Sequence, residues 1–454
     1  MEGWFAALQL VLREVALFAA AGYLLLGLSD LLIDLIWLGR TARRRLSRRA
    51  AITFADLPPP RAPGPLAVFV PAWDEAGIVD RMLAQALARF DHGDYRIFVG
   101  CYPNDPATLA AVRAIGDARL HLVVNDRPGP TTKADCLNAL WRGMCAVETA
   151  SGRTFKAVIL HDAEDVVHSA ELRLFDRLIE EHALVQLPVL PIPRPSSRYV
   201  SGIYLDFFAE AHGKELVVRT ALGASLPSAG VGCAFDRALL GQLADAAGPF
   251  DADSVTEDYE LGLRLHALGV RGAFVRMRAS PGKPLIATHE YFPATLDEAV
   301  KQQARWMLGI ALAGWTRLGW RGGPAEWWMR LRDRQSLLAA LLLVCGYTAA
   351  FLFAFVQVGV ALGGKAEPLP PALVTMLEIS LLLLGWRLLV RFAFTARHYS
   401  WVDGLRSVPR AIVANLVAVL AAEQALERYR EWRRTGRPRW DKTAHSFPDA
   451  LPAE

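Results

Sequence analysis

The stretch VILHDAEDVVH, residues 158–168, places three carboxylates within four positions directly after an apolar run. Residues 158–160 predict a short buried strand, and Asp162, Glu164 and Asp165 follow it. Carboxylates this close repel one another unless a positive group lies among them, and a bound metal ion is the simplest such group. The alternative interpretation is an acidic start to the next helix, where carboxylates interact favourably with the helix dipole.

The composition indicates a protein that lies partly in a membrane. Hydrophobic residues make up 53% of the 454 residues, and the mean hydropathy is positive, which is too apolar for an ordinary soluble enzyme. The five cysteines contain no C-x-x-C pair, so the sequence predicts neither a zinc site nor a disulfide framework, and a reducing compartment fits best. The net charge is only +4 and the basic residues are clustered, which argues against a nucleic-acid partner.

Three apolar stretches approach the roughly 20 residues that a helix needs to cross a bilayer. They predict membrane helices near residues 15–38, 337–361 and 372–394. The basic run RTARRRLSRR, residues 40–49, predicts that the first helix ends in the cytoplasm, and a solvated arm is the alternative. A further apolar run at 411–422 is short and flanked by arginines, so it predicts a helix that lies in the membrane interface.

These segments suggest how the chain is divided. The predicted parts are an N-terminal transmembrane helix at 1–39, a cytoplasmic domain at 40–313, interfacial helices at 314–336, two transmembrane helices at 337–396, and an interfacial helix with a cytoplasmic tail at 397–454. The segment 314–336 mixes Trp and Arg, as interfacial helices do. Asp30 and Asp34 lie four positions apart in the first membrane helix, so they need a partner or a water-filled lining.

The cytoplasmic region alternates short β-rich runs with helical stretches. The runs are LAVFVPAW (66–73), YRIFVGCYP (95–103), RLHLVVND (119–126) and KAVILHDAED (156–165). Such alternation predicts an α/β fold, a parallel sheet with helices on both faces, whose ligand lies beyond the carboxyl ends of the strands. Polar clusters follow three of these strands, AWDE, YPND and HDAED, and together they favour a nucleotide site.

The order of the short motifs resembles glycosyltransferase family 2. The matching motifs are PAWDE at 71–75, KAD at 133–135, DAED at 162–165, TED at 256–258 and QQARW at 302–306. CYPNDPAT, PGPTTKADCLNAL, HDAEDVVH, TEDYELGLRL and the C-terminal RWDKTAH are similar to the NfrB-type inner-membrane glycosyltransferases of phage-adsorption and exopolysaccharide systems. The resemblance implies a glycosyltransferase-A-type parallel-sheet domain inserted between transmembrane helices, in a multi-pass protein of the bacterial inner membrane whose catalytic domain is cytoplasmic.

A divalent metal is expected at the DAED motif. A departing nucleoside diphosphate carries two negative charges, and Mg²⁺ or Mn²⁺ suits both phosphate and carboxylate oxygens. Asp162 and Glu164 are two positions apart, so they point the same way on an extended strand end. We expect Asp162 and Glu164 to form the metal site, with Asp162 on the nucleotide side and Glu164 as the direct ligand. Asp165 is expected to cap the following helix.

The resemblance also implies that Asp258 of the TED motif is the catalytic base, with Glu257 beside it in the catalytic site. A carboxylate there can take the proton of the acceptor hydroxyl as the new bond forms, and in-line displacement then inverts the anomeric centre. The alternative for Glu257 and Glu260 is that they are ordinary acids at the start of a helix.

Residues expected to bind the donor come from strand ends and from one helix. They are Pro71, Ala72, Glu75, Asp105, Lys133, Asp135, Asp162, Gln302, Arg305 and Trp306. Arg305 offers a fork of donors to the pyrophosphate, and Trp306 offers a flat face to an acceptor sugar. An interface anchor is the alternative for Trp306, and a solvated loop lysine for Lys133. The small residues of PSAGVGCAF, 227–235, are expected to let the backbone approach a sugar closely. Asp74 stands where the family usually has Asn, and two amide donors are lost there.

These features predict an inverting, processive transfer of a sugar from a UDP-sugar donor to a growing glycan at the cytoplasmic membrane. The resemblance suggests an N-acetylhexosamine donor. Membrane lipid, an outer-membrane export partner and a separate cyclic di-GMP regulator are the further partners it implies. The alternative from another class is a non-catalytic membrane receptor whose transferase-like domain binds a nucleotide or a glycan. A metal-dependent nucleotide hydrolase is less favoured, because it would not need the QQARW helix or the membrane helices.

Overall fold

The computed structural model describes residues 2–47, 52–436 and 446–452. The helices are α1 Glu2–Leu46, α2 Val79–Arg89, α3 Pro106–Ile115, α4 Lys133–Ser151, α5 Glu171–Leu178, α6 Gly202–Glu210, α7 Leu216–Ala221, α8 Arg237–Gln242, α9 Glu257–Ala267, α10 Leu296–Trp306, α11 Gly314–Leu318, α12 Pro324–Arg334, α13 Ser336–Ala361, α14 Pro371–His398 and α15 Trp401–Thr435. The strands are β1 Leu66–Pro71, β2 Tyr95–Cys101, β3 Leu120–Val124, β4 Ala157–Leu160, β5 Leu184–Gln186, β6 Val189–Pro191, β7 Cys233–Asp236, β8 Gly272–Phe274 and β9 Thr288–Glu290. The RWDKTAH motif and the last two arginines of RTARRRLSRR lie outside the described residues.

Seven strands form the central sheet in the order β3-β2-β1-β4-β7-β5-β8. The four strands expected from the sequence are confirmed as β1 to β4. The sheet is mostly parallel, but β7 runs antiparallel to both β4 and β5, which corrects the expectation of a purely parallel sheet. The chain leaves β5 at the carboxyl edge and passes through α6 and α7 before β7, so β7 re-enters the sheet from that edge and runs backwards. β6 and β9 pair as a separate two-stranded parallel sheet.

Successive side chains of each strand point to opposite faces of the sheet, so they pack into two buried layers. Val68, Ile97 and Ile159 pack with α2 and α5 on one face of the sheet. Phe69 and Phe98 pack with α4 on the other face. Burial of each such side chain contributes roughly 1.5–3 kcal/mol. Both faces of the central strands are covered, which is the reason that their sequences are continuously apolar.

Two helices begin close after strands at the carboxyl edge, and their caps hold the loops there. The Thr132 hydroxyl accepts from the Asp135 backbone N–H at 3.2 Å at the start of α4. The Asp105 carboxylate accepts from the Thr108 N–H at 3.2 Å at the start of α3, where Pro106 is the first helical residue. Side-chain caps of this kind satisfy N–H groups that have no partner within the helix. The loops that follow β2 and β3 are therefore anchored beside the loop that follows β4.

In the part of the chain that the structure describes, four helices, α1, α13, α14 and α15, are long and apolar enough to cross a membrane. The sequence predicts three crossings and an interfacial helix. α15 is longer than the run expected there, because the helix continues through its charged flank to Thr435. Val417, Ala421 and Ala425 of α15 are fully buried, while Ile412 and Leu416 are exposed. By its length and composition, α15 is able to cross the membrane as a fourth span. Its buried residues, however, are arranged as in a helix that packs along the α/β domain.

The segment predicted to be interfacial forms α11 and α12. Its tryptophans cluster, with ring centroids 4.8 Å apart for Trp315 and Trp320 and 5.3 Å apart for Trp320 and Trp327. Trp315 and Trp327 are about half exposed, so an aromatic surface lies directly before α13. The position of this surface at a membrane interface stays a prediction.

Ion pairs, most of them buried and here called the junction network, join the membrane helices to the α/β domain. The network comprises Asp30, Asp34, Asp206, Glu210, Lys214, Arg332, Arg387 and Arg410. Asp34 pairs with Lys214, and Asp30 pairs with Arg332 at 2.9 Å and with Arg387 at 3.1 Å. The two aspartates of α1 therefore have the partners that the sequence required.

The second part of the junction network lies at α6. Asp206 and Arg410 are both fully buried and pair at 3.1 Å, and Thr395 donates its hydroxyl to Asp206 at 3.0 Å. A Cβ atom at Gly202 would lie 2.3 Å from the guanidinium of Arg410, so only glycine fits there. Burial raises the pKa of Asp206 to about 6, despite the charges of Arg391 and Arg410. The pair thus fastens α6 to α14 and α15.

Candidate active site

A cavity of about 170 Å³ opens at the carboxyl edge of the sheet, where the polar clusters were expected to meet. All of the predicted site residues except Asp105 and Asp135 line it. The lining residues from that set are Pro71, Ala72, Glu75, Lys133, Asp162, Glu164, Glu257, Asp258, Gln302, Arg305 and Trp306. Residues more than 200 positions apart in the chain therefore reach one space.

The acidic loop after β4 is held by a buried network beneath it. The Asp165 carboxylate accepts from the Asp162 backbone N–H at 3.1 Å and bonds the ring of His161 at 2.7 Å. The other ring nitrogen of His161 bonds Glu171 at 2.7 Å. The two carboxylates outweigh the effect of burial and raise the pKa of His161 to about 10. Asp165 points away from the cavity as expected, but it closes this turn and does not cap α5, so the capping expectation is wrong.

Lys133 lies inside the cavity and not on a solvated loop. Its ammonium is 2.5 Å from the Asp162 carboxylate, and only 16% of its side chain is exposed. Burial opposes the charged form, but the carboxylates of Asp162, Glu257 and Asp258 outweigh burial and raise the pKa of Lys133 above its ordinary value. The lysine is thus held protonated among the acids.

The donor set of the cavity fits a hard divalent cation. Within the described residues, no group of three or more His, Cys, Asp or Glu side chains forms a ready-made metal site. A cation that also binds phosphates and water needs only one or two protein carboxylates. Asp162 and Glu164 supply such oxygens at the cavity wall, next to the further carboxylate of Glu290. The carboxylate oxygens of these residues fit Mg²⁺ or Mn²⁺.

Glu257 and Asp258 stand at the start of α9 and face the cavity. Burial, and then the charge of Asp258, raises the pKa of Glu257 to about 7. Burial also raises the pKa of Asp258 above its ordinary value, against the opposing charge of Lys133. Glu260 instead pairs with Arg317 at 2.9 Å and accepts the Ser254 hydroxyl at 2.8 Å. Glu260 therefore has a structural role, and the two residues before it belong to the cavity.

Gly230 makes room for Asp258. Its φ angle is 76°, and a Cβ atom there would lie 2.5 Å from the Asp258 carboxylate. Residues other than glycine are disfavoured by both the left-handed backbone and the contact. The small residues of PSAGVGCAF were expected to admit a sugar; at Gly230 the close approach is to the carboxylate.

Asp105 and Asp135 are placed outside the cavity lining. Asp105 accepts the Asp74 backbone N–H at 2.6 Å in addition to capping α3. Asp135 accepts from Arg127 at 2.7 Å. Both occupy helix starts, where a carboxylate is useful to the fold, and the motif alone does not distinguish that use from ligand binding. Asp74 has a φ angle of 55°, a region that Asp and Asn tolerate better than most residues, so the backbone accounts for either residue there.

α10 presents Gln302, Arg305 and Trp306 to the cavity, as the spacing of the QQARW motif predicts. Trp306 meets the ring of Tyr204 edge-on, with centroids 6.1 Å apart. Phe208 also lines this side of the cavity. The cavity consequently has a carboxylate-rich part and, at α6 and α10, an aromatic end, while Trp73 and Tyr102 after β1 and β2 add two further rings to its lining.

The sequence did not single out Glu290 or Phe292, which also line the cavity. Burial, and then the charges of Asp165, Glu164 and Asp162, raises the pKa of Glu290 well above its ordinary value. Glu290 is the last residue of β9, which is only three residues long, and Phe292 lies two positions after it. The available signal was the run of three polar residues in THEYF, between apolar neighbours, and it is too short to separate from a loop.

Comparisons with known proteins agree with this geometry. Residues 63–309 match the family described as "Glycosyltransferase like family 2". Bacteriophage adsorption protein B of Escherichia coli (strain K12) is 35% identical over 478 aligned residues, which cover 98% of this chain and 63% of that protein. Bacteriophage N4 adsorption protein B of Escherichia coli O157:H7 matches with the same figures. This chain thus spans 63% of the length of these curated relatives.

A solved structure shares the fold. It is the mannosyltransferase PcManGT from Pyrobaculum calidifontis in complex with GDP-Man and Mn²⁺, with a TM-score of 0.51, 19% identity, and coverage of 89% of this chain and 99% of that chain. The likeness concerns the fold alone at this identity. The expected glycosyltransferase-A-type fold, a mostly parallel mixed sheet flanked by apolar helices, is confirmed.

Proposed function

Because the chain belongs to glycosyltransferase-like family 2, we propose that it transfers a sugar from a UDP-sugar to a glycan with inversion at the anomeric carbon. The observation that carries the proposal is the single cavity in which the acidic loop after β4, the Glu257–Asp258 pair and Arg305 meet. The solved mannosyltransferase of similar fold holds a nucleotide sugar and Mn²⁺, which supports a nucleoside-diphosphate donor here.

Each residue has a role that follows from its place. Asp162 and Glu164 would hold Mg²⁺ or Mn²⁺, which when bound stabilises the charge on the departing diphosphate. Lys133 and Arg305 add positive charge around the same phosphates, and their partly buried position strengthens that interaction. Asp258 accepts the proton from the acceptor hydroxyl, because its carboxylate faces the cavity from the start of α9.

Glu75, Gln302 and the Pro71–Ala72 backbone shape the donor side of the cavity. Glu257 keeps Asp258 basic, since a second negative charge nearby favours protonation of its neighbour. Trp306 offers a flat face to the acceptor sugar, as expected from its motif. Processive addition of an N-acetylhexosamine, and passage of the product to an outer-membrane export partner, extend this proposal by analogy with the NfrB-type proteins. A separate cyclic di-GMP regulator is part of the same analogy.

Two features support a cytoplasmic catalytic domain in the bacterial inner membrane. The basic end of α1 predicts that this end faces the cytoplasm, where UDP-sugars are made. The described tail returns to the α/β domain, because Arg81 bonds Asp449 at 2.9 Å and Phe447 is buried in the core of the domain. A tail that packs on the catalytic domain lies on the same side of the membrane, so three crossings with α15 in the interface fit better than four.

The alternative is a membrane receptor whose domain binds a nucleotide sugar without turnover. Incubation of the purified protein in lipid with a panel of radiolabelled UDP-sugars and Mg²⁺ or Mn²⁺ separates the two. We expect label from one UDP-sugar to enter larger products, and we expect excess EDTA and Glu164→Ala each to abolish this transfer. Binding without release of UDP from any donor would favour the receptor. Full transfer in excess EDTA would contradict the metal site.

The topology has its own test. A periplasm-active reporter fused after Glu454 should give no signal, while the same reporter in the loop between α13 and α14 should give a strong one. Activity of the reporter at the C-terminus would mean that α15 crosses the membrane.

A further inference from the structure

Helix α6 carries one exposed side chain, and it is a large apolar one. Every residue of Gly202–Glu210 is buried except Phe207, which is 51% exposed. The polar residues of α6 face the membrane helices, since Asp206 binds Thr395 and Glu210 binds Arg387 at 2.8 Å. Phe207 directly follows Asp206 and precedes Glu210 by three positions, so it lies at the edge of that face, and the packing of α6 leaves half of its side chain exposed.

The ring of Phe207 extends the aromatic end of the cavity outward. It is nearly parallel to the ring of Trp306, with an interplanar angle of 28° and centroids 6.3 Å apart. Trp306 lines the cavity, and Phe208 lies edge-on to Phe207 at 5.2 Å. A continuous aromatic surface thus runs from the cavity interior to the exposed rim.

The position of the carboxylates sets the direction of an acceptor chain. An acceptor hydroxyl must reach Asp258, while the donor phosphates occupy the end of the cavity with Asp162 and Lys133. The acceptor sugar then occupies the aromatic end of the cavity, next to Trp306. Sugar rings present C–H faces that pack on aromatic faces, so a ring over Trp306 is followed along the chain by a ring near Phe207.

We propose that Phe207 forms a second acceptor subsite, which binds the second sugar of the growing glycan. The occupant is a saccharide chain of at least two sugars, and the subsite favours a chain end over a single sugar. This inference rests on the proposed function. It adds a physical basis for repeated addition, because a chain held at two rings dissociates more slowly than one held at a single ring.

Contact with lipid is the competing explanation of an exposed phenylalanine near membrane helices. The alignment of the Phe207 ring with the ring of a cavity residue favours the sugar. A lipid contact needs an apolar side chain only, whereas stacking on a sugar needs a flat ring.

The experiment measures the length of the products that the protein makes from the UDP-sugar it consumes. Wild type and variants are compared at equal donor consumption, and the radiolabelled products are sized on gels. We expect Phe207→Ala and Phe207→Leu to shorten the mean product about fivefold, the scale of one lost ring contact. Phe207→Tyr should restore wild-type lengths. Tyr199→Ala is the matched control, since Tyr199 is also 51% exposed and precedes α6, and it should leave product length unchanged.

Several results would overturn the inference. Wild-type lengths from Phe207→Leu would identify an apolar or lipid contact, and wild-type lengths from Phe207→Ala would remove any role in acceptor binding. A wild-type protein that adds one sugar and stops would have no use for a second subsite. These outcomes all occur with active protein. Failure of the proposed function is different, because then no UDP-sugar is consumed by wild type, and the inference falls with it.

Discussion

The cavity and the junction network both bury charged side chains, but they balance those charges differently. In the junction network Asp30, Asp34 and Asp206 each have a basic partner within the described structure. Among the described residues, six carboxylates, those of Glu75, Asp162, Glu164, Glu257, Asp258 and Glu290, line the cavity together with two basic side chains, Lys133 and Arg305. A buried charge is costly unless it is paired. Paired charges therefore indicate a structural joint, and an excess of one sign indicates a site for a ligand of the other sign.

The largest effect is expected from a cavity carboxylate that acts in the reaction. Asp258→Asn should lower sugar transfer by about 10³-fold, within the range for loss of a general base. UDP affinity should change little, because the loss falls on the transition state. Turnover of the radiolabelled donor and calorimetric titration with UDP measure the two quantities. An equal loss of UDP affinity would move Asp258 out of the base role.

A substitution in the junction network should lower the stability of the protein. Arg410→Met leaves Asp206 buried without its main partner and should destabilise the protein by about 3 kcal/mol. Thermal unfolding in detergent, followed by the loss of helical circular dichroism, measures this change. The double variant Asp206→Asn/Arg410→Met should recover part of the stability. A single variant as stable as wild type would show that the pair is not a joint.

Neutralising a cavity acid should stabilise the protein that has no bound metal. Burial raises the pKa of Glu257 from 4.5 to about 7 in the folded protein. The ionised carboxylate therefore destabilises the fold: this cost is absent well below pH 4.5, grows between pH 4.5 and pH 7, and is complete above pH 7. Glu257→Gln should therefore raise stability by about 1 kcal/mol at pH 8 and leave it unchanged at pH 4. Thermal midpoints in EDTA at both pH values measure this. Destabilisation at pH 8 would mean that Glu257 is paired as in the junction network.

The smallest effect concerns the pH dependence of transfer. Asp258 must lose its proton before it can act as a base, and burial raises its pKa, so the acid limb of kcat/KM should lie above the ordinary pKa range of an aspartate. Removing the neighbouring charge with Glu257→Gln should shift this acid limb by a fraction of a pH unit to lower pH. Profiles of kcat/KM for both proteins test the shift. An unchanged limb would assign it to another group, with Glu290 the nearest candidate.

Local sequence determines some of these features and not others. Strands β1 to β4 and the face of the QQARW helix were predictable, because hydrophobic periodicity and helical spacing are local properties. Glu290 was not, because it reaches the cavity from a three-residue strand in a second sheet. Asp105 and Asp135 were assigned to the donor because helix-capping acids and ligand-binding acids have the same local sequence.

The sequence by itself determined the apolar membrane helices, the alternation that makes a mostly parallel sheet, and the motifs that relate the chain to its family. These depend on residue type and spacing along the chain. Only the tertiary structure decided which carboxylates share a cavity and which pair with a base, that β7 runs backwards, and that Phe207 faces Trp306. Those relations join residues far apart in sequence, and their energies depend on burial and distance, which composition and periodicity do not record.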